Sequence, residues 1–304
     1  MAGVAWSSLE LTWFDRTGKE MSRIGSHRVY RDPALSPDGK RVAANRWDET
    51  GLGDIWLIDL GRIDIESRLT FQPASRLNPI WSPDGSRIVY ASTQADGVLQ
   101  LFEKRSDGTG PEKELLKTGR YNVPTDWSAD GRFLAYEERD PQTNKRDLWL
   151  LPMSGDRKPI PYLQTPSDEF QGQFSPDGKW MAYGSDASEH WEIYVQPIPA
   201  SGGKWQISNA GGTQPRWRQD GQELFYLATD GKIMSVETKL GPGPEFGVPK
   251  ALFPARIVQN AIGTDEFVPT LDGQHLLATN AVSAAQGQQA LTVVVNWTAE
   301  LGKK

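Results

Sequence analysis

The chain has 304 residues, a formal net charge of −6 and no cysteine. An acidic chain lacks the basic face that nucleic-acid phosphates require, so we expect no nucleic acid as a partner. The lack of cysteine excludes disulfides, thiolate nucleophiles and cysteine-ligated metals. There is no run of 18 apolar residues, and Met1 to Glu10 lacks the basic start and apolar stretch of a signal peptide, so we expect neither a membrane span nor a signal peptide in this chain.

A short turn sequence, clearest at Trp81-Ser82-Pro83-Asp84-Gly85, recurs six times along the chain. The aspartates of the six copies are Asp38, Asp84, Asp130, Asp177, Asp220 and Asp272, which lie 43 to 52 residues apart. A period in this range, with one turn signal in each unit, indicates a repeat architecture. Asp-Gly favours a tight turn because glycine tolerates positive φ and aspartate hydrogen-bonds to nearby backbone. We therefore predict that these aspartates form turns.

Strand-like segments accompany each turn in the same order. In the second copy, the strand that ends at Trp81 is followed by Arg87–Tyr90, then Leu99–Phe102, then a short segment at Leu115-Leu116. Four short antiparallel strands per repeat are typical of a propeller blade, so the sequence predicts an all-β propeller of four-stranded antiparallel blades. The aromatic residues that precede the turns are predicted to lie in the core; they are Trp81, Trp127, Phe174 and Trp217.

The two ends of the chain carry complementary strands. Leu11–Asp15 and Met21–Ile24 match the third and fourth strands of a blade, whereas Phe267 to Trp297 supplies a first, a second and, at Leu291–Val294, a third strand. We predict that the N- and C-terminal strands pair and close the ring. Counting by register gives seven blade positions; a six-bladed ring closed by the N-terminal hairpin is the alternative. Residues 1–304 are expected to form one propeller domain, divided into seam strands 1–25, five full repeats 26–265 and a closing repeat 266–304.

The Trp-Ser-Pro-Asp-Gly turns and the third strands such as Asp54-Ile55-Trp56-Leu57 resemble the TolB-like (WD-type) family of β-propeller repeats over roughly residues 10–300. The segments Asp147–Pro152 and Val293–Ala299 resemble propellers at the C-terminus of bacterial serine/threonine kinase-like proteins. This resemblance implies a bacterial sensor or interaction module and an extracytoplasmic, periplasmic location. The chain has no Gly-rich phosphate loop, His-Arg-Asp motif or Asp-Phe-Gly motif, so we expect no kinase activity from it.

A polar position appears when the repeats are aligned on the turn aspartate. Six residues upstream of each aspartate stand Asp32, Asn78, Pro124, Gln171, Gln214 and Glu266. This position begins each inner strand, so the six residues should converge around the mouth of the central channel. All but Pro124 carry a side-chain oxygen, the ligand type that Ca²⁺ prefers. We predict a calcium site formed by Asp32, Asn78, Gln171, Gln214 and Glu266, with Asp126, Gln173 and Arg216 as further ligand-binding groups. The alternative is that the position is polar only because a channel mouth is wet.

Two functions stay open at this point. The first is a non-catalytic binding module, of sensor or scaffold type, that presents its loop-rich face to a protein or small-molecule ligand. It is favoured because the chain has no Gly-x-Ser-x-Gly elbow, and its three histidines, His27, His190 and His275, are far apart in sequence. The second is a Ca²⁺-dependent hydrolase of esters, lactones or phosphotriesters at the channel mouth. No cofactor other than Ca²⁺ is predicted, and the chain is expected to be a monomer.

Overall fold

The computed structural model describes residues 9–25, 28–48, 51–62, 65–71, 73–201, 203–255, 257 and 264–281. Within these ranges the strands form six separate antiparallel sheets, which are the blades. The inner strands of the six sheets contact one another in a closed circle. No helix with the length and hydropathy of a membrane span occurs in these ranges.

We number the blades in the order of their inner strands. Blade 1 contains β3 (Val29–Leu35), β4 (Arg41–Trp47), β5 (Gly53–Asp59) and β6 (Glu66–Arg68). Blade 2 contains β7 (Arg76–Trp81), β8 (Arg87–Thr93), β9 (Leu99–Arg105) and β10 (Lys113–Leu116). Blade 3 contains β11 (Tyr121–Trp127), β12 (Phe133–Arg139), β13 (Arg146–Pro152) and β14 (Ile160–Leu163).

The second half of the ring follows the same pattern. Blade 4 contains β15 (Glu169–Phe174), β16 (Trp180–Ser185), β17 (Glu192–Pro197) and β18 (Trp205–Gln206). Blade 5 contains β19 (Thr213–Trp217), β20 (Glu223–Leu227) and β21 (Lys232–Lys239), and both β22 (Glu245–Phe246) and β23 (Lys250–Pro254) pair with β21. Blade 6 contains β24 (Phe267–Pro269) and β25 (His275–Ala281), followed across the sheet by β1 (Leu9–Asp15) and β2 (Glu20–Ile24).

The ring is closed by strands from both ends of the chain, as predicted. Strand β1 pairs with β25 along its whole length, from Leu9 opposite Ala281 to Asp15 opposite His275. The first estimate of seven blades is wrong and the six-bladed alternative is correct for the described residues, because the two incomplete end repeats complete a single sheet. The predicted third strand at Leu291–Val294 lies outside the described residues, and the division into residues 1–25, 26–265 and 266–304 stays a prediction.

The six Asp-Gly segments form tight turns between the first and second strands of their blades. In the turn of blade 2, Asp84 Oδ1 accepts hydrogen bonds from the hydroxyl of Ser82 at 2.5 Å and from the backbone N–H of Ser86 at 3.0 Å. These bonds favour the ionised carboxylate and lower the pKa of Asp84 to about 2. The turn glycines have φ between 67° and 75°, which only glycine adopts without strain; they are Gly39, Gly85, Gly131, Gly178, Gly221 and Gly273.

The aromatic residues before the turns pack between neighbouring blades, as predicted. Trp81, Trp127 and Phe174 are each only 6% exposed. Trp81 also donates its indole N–H to the backbone oxygen of Ala34 in blade 1 at 3.0 Å, and Trp217 makes the same kind of bond from blade 5 to Gln173 in blade 4 at 3.2 Å. The repeated aromatic position therefore joins blades as well as filling the core.

The alternating strand directions give the ring two different faces. Each Asp-Gly turn lies at one end of its blade, and we call this end the turn face. The loops between second and third strands, and the connections from each outer strand to the next inner strand, lie at the opposite end, which we call the loop-rich face. The channel-mouth position begins each inner strand and therefore lies on the loop-rich face.

Candidate functional site at the channel mouth

The backbone at the channel mouth has an unusual conformation that recurs from blade to blade. Asp32, Asn78, Gln171 and Gln214 all have positive φ, between 50° and 57°. Each of them lies where the pairing between the first and second strands shifts register. A residue other than glycine is strained in this left-handed region, and such irregularities redirect a side chain out of the regular strand alternation. The repeat therefore has the same irregular backbone at this position in four blades, although the side chains differ.

A circle of hydrogen bonds between blades explains why this conformation is kept. The backbone N–H of Gln214 donates to Gln171 Oε1 at 2.9 Å, and the N–H of Glu266 donates to Gln214 Oε1 at 2.8 Å. The N–H of Asn78 donates to Asp32 Oδ2 at 3.3 Å. In each case the side chain of one repeat accepts the backbone proton of the equivalent residue in the next repeat. The structure thus brings the predicted residues together as an inter-blade belt.

The belt changes at blade 3, where the equivalent residue is Pro124. Proline has no N–H, so it cannot donate to the side chain of blade 2. At this boundary the side-chain amide of Asn122 donates instead to Gln100 Oε1 at 3.1 Å. On the other side of blade 3, the N–H of Gln171 donates to Glu137 Oε1 at 2.7 Å. The side chains of Asn122, Gln100 and Glu137, all outside the repeated position, therefore replace the contacts that Pro124 cannot make.

Asp265 joins the belt to the second predicted group of residues, and the sequence analysis did not identify it. Its N–H donates to Asp32 Oδ1 at 2.9 Å, which closes the belt from blade 6 to blade 1. Its carboxylate accepts a hydrogen bond from Gln171 Nε2 at 2.8 Å and forms an ion pair with Arg216 at 2.5 Å. The only sequence signal for Asp265 is its position next to Glu266.

The second group is spread over blades 3 to 5 and is also used between blades. Asp126 Oδ2 accepts the backbone N–H of Phe174 at 2.8 Å, and Gln173 Nε2 donates to the backbone oxygen of Thr125 at 2.6 Å. Arg216 is 8% exposed and also donates to the backbone oxygen of its neighbour Pro215. Asp126, Gln173 and Arg216 thus lie on three consecutive blades, and these contacts are all with the protein itself.

Burial controls the ionisation of the acidic groups at the channel mouth. Burial, together with the negative charges of Glu266 and Asp265, raises the pKa of Asp32 to about 8. Burial likewise raises the pKa of Asp126 and of Glu137 to about 7. The pKa of Glu266 is also raised by burial, although Thr279 and Arg31 favour its charged form. Near neutral pH, part of this acidic set is therefore protonated and can donate as well as accept hydrogen bonds.

The predicted calcium site stays a prediction. Within the described ranges, no group of three or more His, Cys, Asp or Glu residues is arranged to hold a metal ion. Amide and backbone oxygens also bind Ca²⁺, so this finding does not test the mixed set of Asp32, Asn78, Gln171, Gln214 and Glu266. In that set, both carboxylate oxygens of Asp32 and the amide oxygens of Gln171 and Gln214 accept backbone hydrogen bonds.

Substitution of Gln171 tests the belt directly. We expect Gln171→Ala to lower the free energy of unfolding by about 1–3 kcal/mol, because it leaves the buried N–H of Gln214 without its acceptor. Gln171→Gly removes the same side chain but accommodates the φ of 53° without strain. Gln171→Gly should therefore be the more stable of the two variants in urea unfolding. Equal stability of Gln171→Ala and the parent would show that the belt contributes nothing.

Comparison with known proteins finds other β-propellers that are similar to this chain. Residues 16–158 match the protein family described as the TolB beta propeller domain. The fold of the chain is also similar to a solved structure of a candidate TolB from Agrobacterium tumefaciens, with a TM-score of 0.73, covering 91% of this chain and 99% of that one at 16% sequence identity. The chain is a β-propeller that is similar to TolB. A solved TolB from Acinetobacter baumannii superimposes with a TM-score of 0.60 over 83% of this propeller and 68% of its own chain, also at 16% identity.

One curated relative carries the name of a peptidase. The propeller is 25% identical over 211 residues to a Bacillus subtilis (strain 168) protein called uncharacterized peptidase YuxL. The match covers 54% of the propeller and 31% of that relative, so the chain spans about a third of the relative's length. The likenesses to solved structures concern the fold, because their sequence identities are low.

Proposed function

We propose that this TolB-like propeller is a non-catalytic binding module, of sensor or scaffold type, that presents its loop-rich face to a protein or small-molecule ligand. The observation that carries the proposal is the use of the channel-mouth side chains. Their oxygens accept backbone hydrogen bonds from adjacent blades, at 2.7–3.3 Å. Such bonds fix the start of the inner strand in blades 2, 4, 5 and 6, and this supports a rigid frame from which the loops project.

Exposed apolar side chains on the same face support a binding role. Leu52 is 38% exposed in the loop between the second and third strands of blade 1, and Phe71 is 63% exposed in the connection to blade 2. Tyr121 is 42% exposed at the start of blade 3. Aromatic and large apolar residues that remain exposed on one surface are typical of protein interaction sites. An extracytoplasmic, periplasmic location, which rests on the family resemblance, and a monomeric state also belong to this proposal.

Selection of peptide ligands tests the proposed face. Peptides selected on the parent protein from a displayed library should bind at least tenfold more weakly to the double variant Leu52→Ser/Tyr121→Ser. The matched control is Met21→Ser/Val248→Ser, which removes two apolar side chains that are 54% and 81% exposed on the outer strands and loops. Affinities measured by calorimetry should be unchanged in this control. Peptides that lose affinity for the control pair, and not for the first pair, would contradict the proposed face.

The alternative function, a Ca²⁺-dependent hydrolase, has consequences that can be measured separately. A metal-dependent hydrolase would turn over chromogenic esters or phosphotriesters, and EDTA would abolish the activity. The double variant Asp32→Ala/Glu266→Ala would abolish it as well, and Ca²⁺ at a hundredfold excess over its dissociation constant would stabilise the parent by about 2.7 kcal/mol. We expect no EDTA-sensitive turnover. Activity lost both with EDTA and in this variant would overturn the binding-module proposal.

A further inference from the structure

A cavity of about 440 Å³ lies beside blade 2, away from the channel-mouth belt. We call it the blade 2 cavity. Phe71, in the connection from blade 1, forms one part of its lining, and Phe102 and Lys104 on β9 form another. Residues two apart on a strand point to the same side of the sheet, so Phe102 and Lys104 share one face. The volume falls within the range of small-molecule sites, which is about 300–1,000 Å³.

Lys104 is the unusual residue of this cavity. It is only 8% exposed, although lysine is seldom buried without a partner. In the described part of the chain, its ammonium group has no carboxylate within ion-pair distance and no hydrogen bond to the protein. Its described contact is a cation–π contact with the ring of Phe71, whose centroid lies 5.6 Å from Nζ. The ammonium group of this largely buried side chain therefore has no described anionic partner within the protein.

The other charged groups of the cavity are paired with one another. Arg76 is 1% exposed and donates from Nε and Nη2 to the carboxylate of Glu112, at 3.0–3.3 Å. Its Nη1 donates to Asp54 at 3.2 Å. Glu112 is therefore neutralised by Arg76 and is not the counter-ion of Lys104. The positive charge that the cavity offers to a ligand is that of Lys104.

We propose that the blade 2 cavity binds a small organic carboxylate with an aromatic or apolar body. The carboxylate pairs with the ammonium of Lys104, and the body of the ligand lies against Phe71 and Phe102. A single lysine suits a monoanion, whereas a phosphate group would call for more donors than one ammonium supplies. The polar side chains of Ser92, Thr93 and Gln94, which also line the cavity, can hydrogen-bond to further groups of the ligand. None of the residues of the channel-mouth belt lines this cavity, but Phe71 belongs both to it and to the peptide-binding face proposed above.

A fluorine NMR titration with para-fluorophenylacetate tests the proposal. The parent should show saturable binding, and Lys104→Met, which keeps the apolar stem but removes the charge, should bind at least tenfold more weakly. The neutral analogue para-fluorophenylacetamide should bind the parent at least tenfold more weakly than the acid. Lys117→Met, which removes an exposed lysine that does not line the cavity, is the matched control and should bind the acid like the parent.

Phe71→Ala gives a second test that does not depend on the stability of Lys104→Met. The ring of Phe71 is 63% exposed, so its removal should leave the fold intact and weaken acid binding several-fold. Absence of saturable binding to the parent, equal binding of acid and amide, or unchanged binding in both Lys104→Met and Phe71→Ala would each overturn the proposal. Because Lys104 is not needed for the proposed peptide binding, Lys104→Met should retain its affinity for the selected peptides.

Discussion

Removal of residues 1–25 is expected to abolish cooperative folding of the propeller. The deletion takes away β1 and β2, which form the outer half of blade 6, and leaves β25 as an open sheet edge. It also removes Leu11, which is fully buried against blade 1, and Phe14, which packs against Phe253 of blade 5. Truncation of a single buried leucine costs about 2–5 kcal/mol, and the free energy of unfolding of a whole domain is only about 5–15 kcal/mol. The combined loss should therefore exceed the stability of the ring.

Thermal melting followed by circular dichroism measures this effect. Addition of residues 1–25 as a separate peptide should restore a cooperative transition, because the strand pairing does not require a covalent connection. Leu11→Ala should lower the free energy of unfolding by about 2–5 kcal/mol, whereas Met21→Ala, at a residue 54% exposed on β2, should have little effect. A truncated chain that melts at the temperature of the parent would show that the seam does not hold the ring.

The free energy of unfolding is expected to fall as the pH rises from 5.5 to 8.5. The pKa of Asp32 is about 8 in the folded protein, against an ordinary value of 3.8 for an exposed aspartate. In this interval the folded state retains a proton that the unfolded state has lost, so each further rise in pH favours unfolding. Asp126 and Glu137, with pKa values of about 7, act in the same direction up to that pH. The slope is limited to about 1.4 kcal/mol per pH unit for each such group.

Asp32→Asn separates this effect from the rest of the titration. Asparagine is uncharged at every pH, so the variant should have a shallower slope. It keeps only one of the two oxygens that accept the N–H groups of Asn78 and Asp265, so it should be less stable than the parent at pH 5.5. Asp84→Asn is the control, because the pKa of Asp84 is already lowered to about 2 and its charge does not change in this range. Urea unfolding at several pH values measures both. An identical slope for Asp32→Asn and the parent would mean that the ionisation of Asp32 does not limit stability.

Repeated features of this protein are the ones that its sequence predicts well. The Asp-Gly turns, the strand order and the inter-blade aromatic residues recur six times or nearly so, and each copy strengthens the interpretation of the others. The seam was also predictable, because Leu11–Asp15 and the segment after Phe267 each lack the strands that the other supplies. The number of blades was harder to predict, since two partial repeats at the chain ends can be counted as two blades or joined into one.

Residues that occur only once could not be predicted from the pattern. Asp265 lies one residue before the repeated position, and Glu137 lies on a second strand rather than at the start of a first one. Glu137 accepts a hydrogen bond from blade 4, and Asp265 contacts residues of three other blades, only because the ring brings these blades together. Lys104 looks like an ordinary residue between Glu103 and Arg105, and its burial depends on a connection more than thirty residues earlier in the chain. Such features follow from tertiary packing, which local sequence does not encode.

The inter-blade belt gives the ring a set of built-in reporters for amide hydrogen exchange. The N–H groups of Asn78, Gln171, Gln214, Asp265 and Glu266 are each held by an acceptor on a different blade. An amide within an ordinary strand ladder exchanges when its own sheet frays, but these protons are released only when two blades separate. Their exchange rates therefore measure how often the ring opens between one blade and the next, as distinct from how often a single blade comes apart.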